Sequence, residues 1–189
     1  KRNDPTSAAK QVSLTELGSI KINKEERTKM YKTIPRSSVI GFLIGVLPGA
    51  GATIASFLAY GMERNVVSDE EKEKFGKGSV NGLSAPETAN NAACSGSFVP
   101  MLTLGIPGSG TTAVMLGALL GFGVQPGPRL YMTNPEIFWS IIMSMYIGMV
   151  ILLILNLPLI PYIARILAVP KNYLIPLILF FSVTGIYVM

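Results

Sequence analysis

Two copies of one short pattern, PGAGAT at Pro48 to Thr53 and PGSGTT at Pro107 to Thr112, stand inside uncharged stretches long enough to cross a membrane. Pro48, Gly49, Gly51 and Thr53 fall at the same relative places as Pro107, Gly108, Gly110 and Thr112. Proline and glycine interrupt a helix and let the backbone turn sharply. In hydrocarbon, irregular backbone persists only where it is buried in protein or lines a cavity, because a peptide group without a partner is costly there. Two breaks in corresponding segments therefore point to the binding site of a carrier.

The surrounding composition supports a membrane setting. The 189 residues are 49% hydrophobic and only 14% charged, where a soluble domain carries about 25% charged residues. Charges gather in islands, leaving residues 37–62, 88–128, 137–164 and 172–189 without any. Each stretch approaches or exceeds the ~20 residues that cross a ~30 Å hydrocarbon core. The expected fold is an all-α integral membrane protein, one repeat of an inverted-repeat secondary transporter with re-entrant or broken helices. The chain begins at Lys1 and ends within an apolar run, so it is expected to be a piece of a longer protein.

Residues 1–36 carry nine Lys and Arg against four acids, which reads as a polar cytoplasmic connector closed by Pro35 rather than as a nucleic-acid surface. Residues 37–62 are split by Pro48 to Gly51 into two arms of about 11 residues, each half a crossing. They form a broken helix or, as the charge placement favours, a re-entrant hairpin. Residues 63–87 read as a polar loop with a short helix, opened by a capping box of Ser68 with Glu71. A second box, Ser84 with Glu87, is expected to open the helix of the following APETANN run, with Pro86 in its first turn. Residues 88–128 are too long and too rich in Pro and Gly for one straight span. Residues 137–164 and 172–189 read as transmembrane helices, with Trp139 at the interface.

The substrate and ion site is expected at Gly49, Gly51, Thr53, Asn90, Asn91, Gly108, Ser109, Gly110, Thr111 and Thr112. Backbone N–H groups in such turns, with the positive end of a half-helix, suit a carboxylate. Carbonyls and amides can hold a sodium ion. Glu87, the carboxylate nearest the amide pair, is either a helix cap or a proton or cation site. Gly41 with Gly45, and Gly117 with Gly121, have the spacing that lets membrane helices pack closely. Without His, HExxH, CxxC or a Walker lysine pattern, no catalytic residue, organic cofactor or resident metal beyond a possible Na+ is expected. The reading is therefore not an enzyme, and the alternative to a carrier is an ion channel using the Gly-rich breaks as its filter.

The runs GVLPGAGATIASFLAY (45–60), FGKGSVNGLSAPETANNAA (75–93) and VPMLTLGIPGSGTTAVMLGALLGFGVQPGP (99–128) closely resemble the large membrane subunit of bacterial tripartite tricarboxylate transporters, the TctA family. The resemblance covers about residues 37–130; the tail fits in hydropathy only. It implies a multi-pass permease of the bacterial cytoplasmic (inner) membrane, of which this chain is the second half. It further implies symport of citrate or other carboxylates with Na+ or H+, a small membrane subunit, and a periplasmic solute-binding protein that delivers substrate. Thr88 stands where the family commonly has alanine.

Overall fold

The computed structural model describes residues 22–164 and 171–188, so the expectations for residues 1–21 lie outside the described residues. Those described residues are helical throughout apart from turns, with no strand among them. In chain order the helices are α1 (Lys24–Val46), α2 (Gly51–Val66), α3 (Asp69–Lys72), α4 (Val80–Gly96), α5 (Phe98–Leu104), α6 (Gly110–Gly121), α7 (Leu130–Thr133), α8 (Pro135–Ala164) and α9 (Lys171–Val188). Ile22–Met143 form one compact unit, and the described part of residues 144–189 belongs to another.

Helix α1 starts earlier than the charge pattern predicts. The Asn23 backbone N–H donates to the Glu26 carboxylate at 2.8 Å, which satisfies one of the groups a helix start leaves free. The helix then runs through Pro35 instead of ending there, so the polar segment and the first apolar arm are one continuous rod. At Pro48 to Gly51 the chain reverses into α2 as a hairpin. Arg36 lies twelve residues before Pro48 and Glu63 twelve after Gly51, and the two meet across the arms at 2.8 Å. An arm of that length covers about 18 Å, well short of the bilayer core.

Helix α4 packs against both arms of the hairpin. Its contact with α1 has a constant register in which residue n meets residue n + 48. Thr33 bonds Asn81, Gly41 faces Ala89, and Gly45 faces Ala93. These helices therefore run parallel, at backbone contact. A Cβ added at Gly41 or Gly45 would lie 2.3 Å from the carbonyl oxygen of Ala89 or Ala93. The small-residue reading holds for this pair. At Gly117 and Gly121 an added Cβ would meet nothing within 4 Å among the described residues, so no neighbour there takes up their spacing. Facing α4 from the other arm, Ala55 and Ala59 of α2 complete a core of alanines with Ala85, Ala89 and Ala93.

Neither expected capping box forms, although Ser68 does stand at a helix start. Helix α4 opens at Val80, where the Ser79 hydroxyl accepts from the Gly82 N–H at 3.0 Å. Ser84 and Glu87 therefore sit inside the helix, as does Pro86. Ser68 precedes α3 but makes no side-chain cap. Glu71 is drawn away by two ammonium groups, Lys29 at 2.9 Å and Lys74 at 2.6 Å.

A second core, of Met101, Leu102, Val124, Leu130 and Ile141, joins α5, α7 and the start of α8. Pro135 takes the first helical position of α8, where its missing N–H costs nothing. Pro135–Ile160 is the one helix among the described residues long and apolar enough to cross a membrane. Only 6% of its most apolar window is buried within the chain, and Trp139 near its start is exposed.

Two predictions follow from this packing. Replacing Gly41 by valine forces side-chain carbon against the Ala89 backbone, and overpacking of that kind costs about 1–3 kcal/mol. The melting temperature of the purified protein should fall, whereas Gly117→Ala, facing open space, should leave it nearly unchanged. The second concerns the charges outside the membrane segments. Hydrogen bonds to Glu25 and then to Glu71 raise the Lys29 pKa, while bonds from Lys29 and then Lys74 lower that of Glu71. The depressed carboxylate stabilises the fold above its ordinary value of 4.5 and ceases to do so as pH falls through its folded value. The raised ammonium contributes fully below 10.5 and is lost as pH rises through its folded value. Melting curves of wild type and Glu71→Gln should differ at neutral pH and converge in acid.

Candidate functional site

The two sequence copies adopt different backbones. At the first break Gly49 and Gly51 have φ of 80° and 69°, left-handed values that favour glycine. Around them a Cβ would meet nothing within 4 Å, so the turn stands open. At the second break Gly108 and Gly110 keep ordinary φ, and the left-handed residue is Gly105 at 70°. There the Gly105 N–H bonds the Met101 carbonyl and the Ile106 N–H bonds the Pro100 carbonyl, closing α5 before Pro107.

Gly108 brings the breaks together. It is buried, and an added Cβ would lie 3.0 Å from the Ser97 Cβ and 3.5 Å from the Gly45 carbonyl oxygen. Gly45 is three residues before Pro48, so the second tip rests on the last turn of α1 beside the first tip. The register already described places Ala93 at this same level, and Asn90 is three residues back along α4. Break, break and amide pair therefore share one end of the α1, α2 and α4 unit.

Their hydrogen-bonding capacity is unequal. Helix α2 begins without a side-chain cap, leaving its first-turn N–H groups for an outside acceptor. That end carries the positive side of the helix dipole. Helix α6 begins with a capping box, in which the Ser109 N–H donates to Thr112 Oγ1 at 2.9 Å and the Thr112 N–H to Ser109 Oγ at 3.3 Å. Ser109 and Thr112 thus already serve the helix start, with Thr112 buried. The S-x-x-T spacing is the local sequence signal for this cap. Gly110 and Thr111 beside them are exposed, as is Thr53 at the other tip.

Asn90 reaches across to α2, where its Nδ2 donates to Ser56 Oγ at 3.3 Å. Ser56 in turn contacts the Ala52 and Pro86 carbonyl oxygens at 3.0 and 3.1 Å. Asn91 faces outward and donates to the backbone carbonyl of Glu87 at 2.9 Å. The Glu87 side chain is exposed, seven residues into α4, which removes the cap reading for it.

At the far end of the hairpin lies a polar cluster that the sequence reading missed. Glu63 is 1% exposed and accepts from Thr33, Arg36 and Asn81. The equal spacing of Arg36 and Glu63 from the break was the available signal. It becomes legible once the segment is known to fold back on itself. No group of three or more His, Cys, Asp or Glu that could hold a metal occurs among the described residues.

Two helix breaks thus meet inside one packed helical unit, in a chain with one helix of crossing length among the described residues. All 189 residues match the Tripartite tricarboxylate transporter TctA family, and the chain belongs to it. It is 39% identical over 98% of its length to an uncharacterized 52.8 kDa protein in the 3′ region of TAR-I ttuC′ of Agrobacterium vitis. It is 45% identical over 78% of its length to an uncharacterized protein in the 3′ region of TAR-II ttuC′ of the same organism. The chain spans 37% and 60% of these relatives, respectively. No solved structure matches it.

Replacing Thr112 by valine removes the half of the α6 capping box in which Thr112 Oγ1 accepts from the Ser109 N–H, and leaves the bond from the backbone N–H of residue 112 to Ser109 Oγ. Loss of a helix cap costs about 1 kcal/mol, so a modest fall in thermal stability is expected. Thr111→Val, on an exposed neighbour, should not share it.

Proposed function

We infer that this chain is the second half of the large membrane subunit of an ion-driven carboxylate carrier. Its substrates would be citrate, another tricarboxylate or a related small carboxylate. The observation that carries the reading is the seating of Gly108 against Gly45, which gathers two helix breaks and the α4 amides at one end of a hairpin. Carboxylate oxygens would accept from the uncapped first turn of α2, with Gly49, Gly51 and Thr53 around them. Gly110 and Thr111 approach from the second tip, and Asn90 and Asn91 complete the lining. Ser109 and Thr112 contribute by holding the α6 start in place.

A multiply charged anion is costly to move through a low-dielectric interior unless its charge is offset. Co-transported Na+ or H+ would supply that offset. Glu87 and Asn91, one turn apart on α4, offer a carboxylate and an amide for such an ion. The carrier would sit in the bacterial cytoplasmic membrane as a multi-pass protein, with the other half of the subunit completing an inverted repeat. A small membrane subunit and a periplasmic binding protein would complete the system.

The test is uptake of labelled carboxylates into proteoliposomes holding the full-length subunit and its two partners, with sodium and pH gradients imposed separately. Saturable uptake with counterflow is expected under one of the gradients. Asn90→Ala, which removes the α4 to α2 amide, should reduce uptake at least tenfold while leaving membrane insertion intact. Uptake that ignores both gradients, or Asn90→Ala and Thr53→Val variants that transport like wild type, would overturn the assignment.

A further inference from the structure

The two carboxylate oxygens of buried Glu63 are served very unequally. Oε1 accepts from Thr33 Oγ1 at 2.7 Å, Arg36 Nη2 at 2.8 Å and Asn81 Nδ2 at 3.2 Å. Oε2 has no hydrogen-bond partner, and neither has Asn81 Oδ1. Both residues are more than nine-tenths buried. The Asn81 amide cannot simply be turned over, because its nitrogen faces a carboxylate oxygen that only accepts. Two buried acceptor oxygens in one cluster thus lack any donor from α1, α2 or α4. An acceptor left that way is expensive, and an electropositive ligand removes the cost.

Arg36 holds Glu63 by one prong. A guanidinium in fork geometry engages both carboxylate oxygens, but here Nη2 alone makes the bond while Nε is buried without a partner. Arg36 is also the member of the cluster that reaches solvent, its side chain being 32% exposed against 1% for Glu63. It can therefore leave towards water, whereas Glu63 cannot. While it is ionised, a carboxylate this deeply buried needs a counter-charge.

We propose that Glu63 Oε2 and Asn81 Oδ1 are ligands of a sodium site at the mouth of the hairpin, and that sodium and Arg36 compete for Glu63. One carboxylate with neutral oxygens matches a hard monovalent cation, while calcium takes a larger set of oxygens that includes further carboxylates. With sodium and Arg36 both in place the cluster carries an excess positive charge. Departure of Arg36 restores neutrality. Sodium then ties α2 to α4 while the α1 to α2 ion pair opens, so occupancy exchanges one helix contact for another. Exposed Glu87 has no comparable enclosure. This site lies about 18 Å from the breaks, one arm length away, and does not depend on how the carboxylate is bound.

The test uses the full-length subunit in detergent, with sodium chloride replaced stepwise by choline chloride at constant ionic strength and melting followed by fluorescence. Sodium should raise the melting temperature of wild type saturably. Asn81→Ala and Glu63→Gln should lose that response, and Arg36→Gln should reach half-saturation at a several-fold lower sodium concentration, since its competitor is gone. If Glu63→Gln fails to fold, Asn81→Ala and Arg36→Gln decide the matter. A wild-type melting temperature indifferent to sodium, or responsive to pH alone, would overturn the site. So would a wild-type response in Asn81→Ala, or an Arg36→Gln variant needing as much sodium as wild type.

Discussion

Backbone contact between α1 and α4 is the constraint on which the rest of the unit depends. Gly41 and Gly45 have no side chain to hold the helices apart, and Ala89 and Ala93 meet them with the smallest one available. In a membrane the hydrophobic effect does not draw helices together, so close packing of small residues has to do it. Contact this close also fixes register, because a carbonyl 2.3 Å from an added Cβ leaves no room for a neighbouring alignment with a larger residue. One offset then sets three levels: Thr33 with Asn81, Gly41 with Ala89, and Gly45 with Ala93.

That register separates the two kinds of polar chemistry. Charged groups lie at the mouth of the hairpin, where Arg36 and Glu63 close it. Backbone groups without charge lie at its tip, where α2 starts uncapped. The twin motifs are consequently not twins in structure. The first leaves donors unclaimed in an open turn, and the second spends its hydroxyls on its own helix start and tucks Gly108 under Ser97. The unit therefore has one helix end with free backbone donors beside a second whose start is already capped.

Much of this was legible in the residues. Proline and glycine at positions 48–51 and 107–110 marked where helices are interrupted, since their backbone limits are local, though the left-handed residue of the second break is Gly105. The spacing of Gly41 and Gly45 announced a close helix contact, and the long apolar run announced α8. Other local signals misled. Pro35 suggested an end that α1 passes through, and Ser84 with Glu87 suggested a start that belongs to Ser79. In each case packing along the α1 to α4 contact extends the helix past the residue that local preference would choose. Gly117 and Gly121 repeat the spacing of Gly41 and Gly45, yet a Cβ added there would meet nothing within 4 Å among the described residues, because spacing permits a contact without supplying the partner.

The sequence by itself determined where helices break, which stretches are apolar and that the chain belongs to the TctA family; such properties follow from single residues and their near neighbours. Only the tertiary structure decided that Gly108 rests on Gly45, that Asn90 reaches Ser56, and that Glu63 is sealed from water with one oxygen crowded and the other bare. Those facts join residues 18 to 63 positions apart. They arise from the register of packed helices, which no local pattern of side chains encodes.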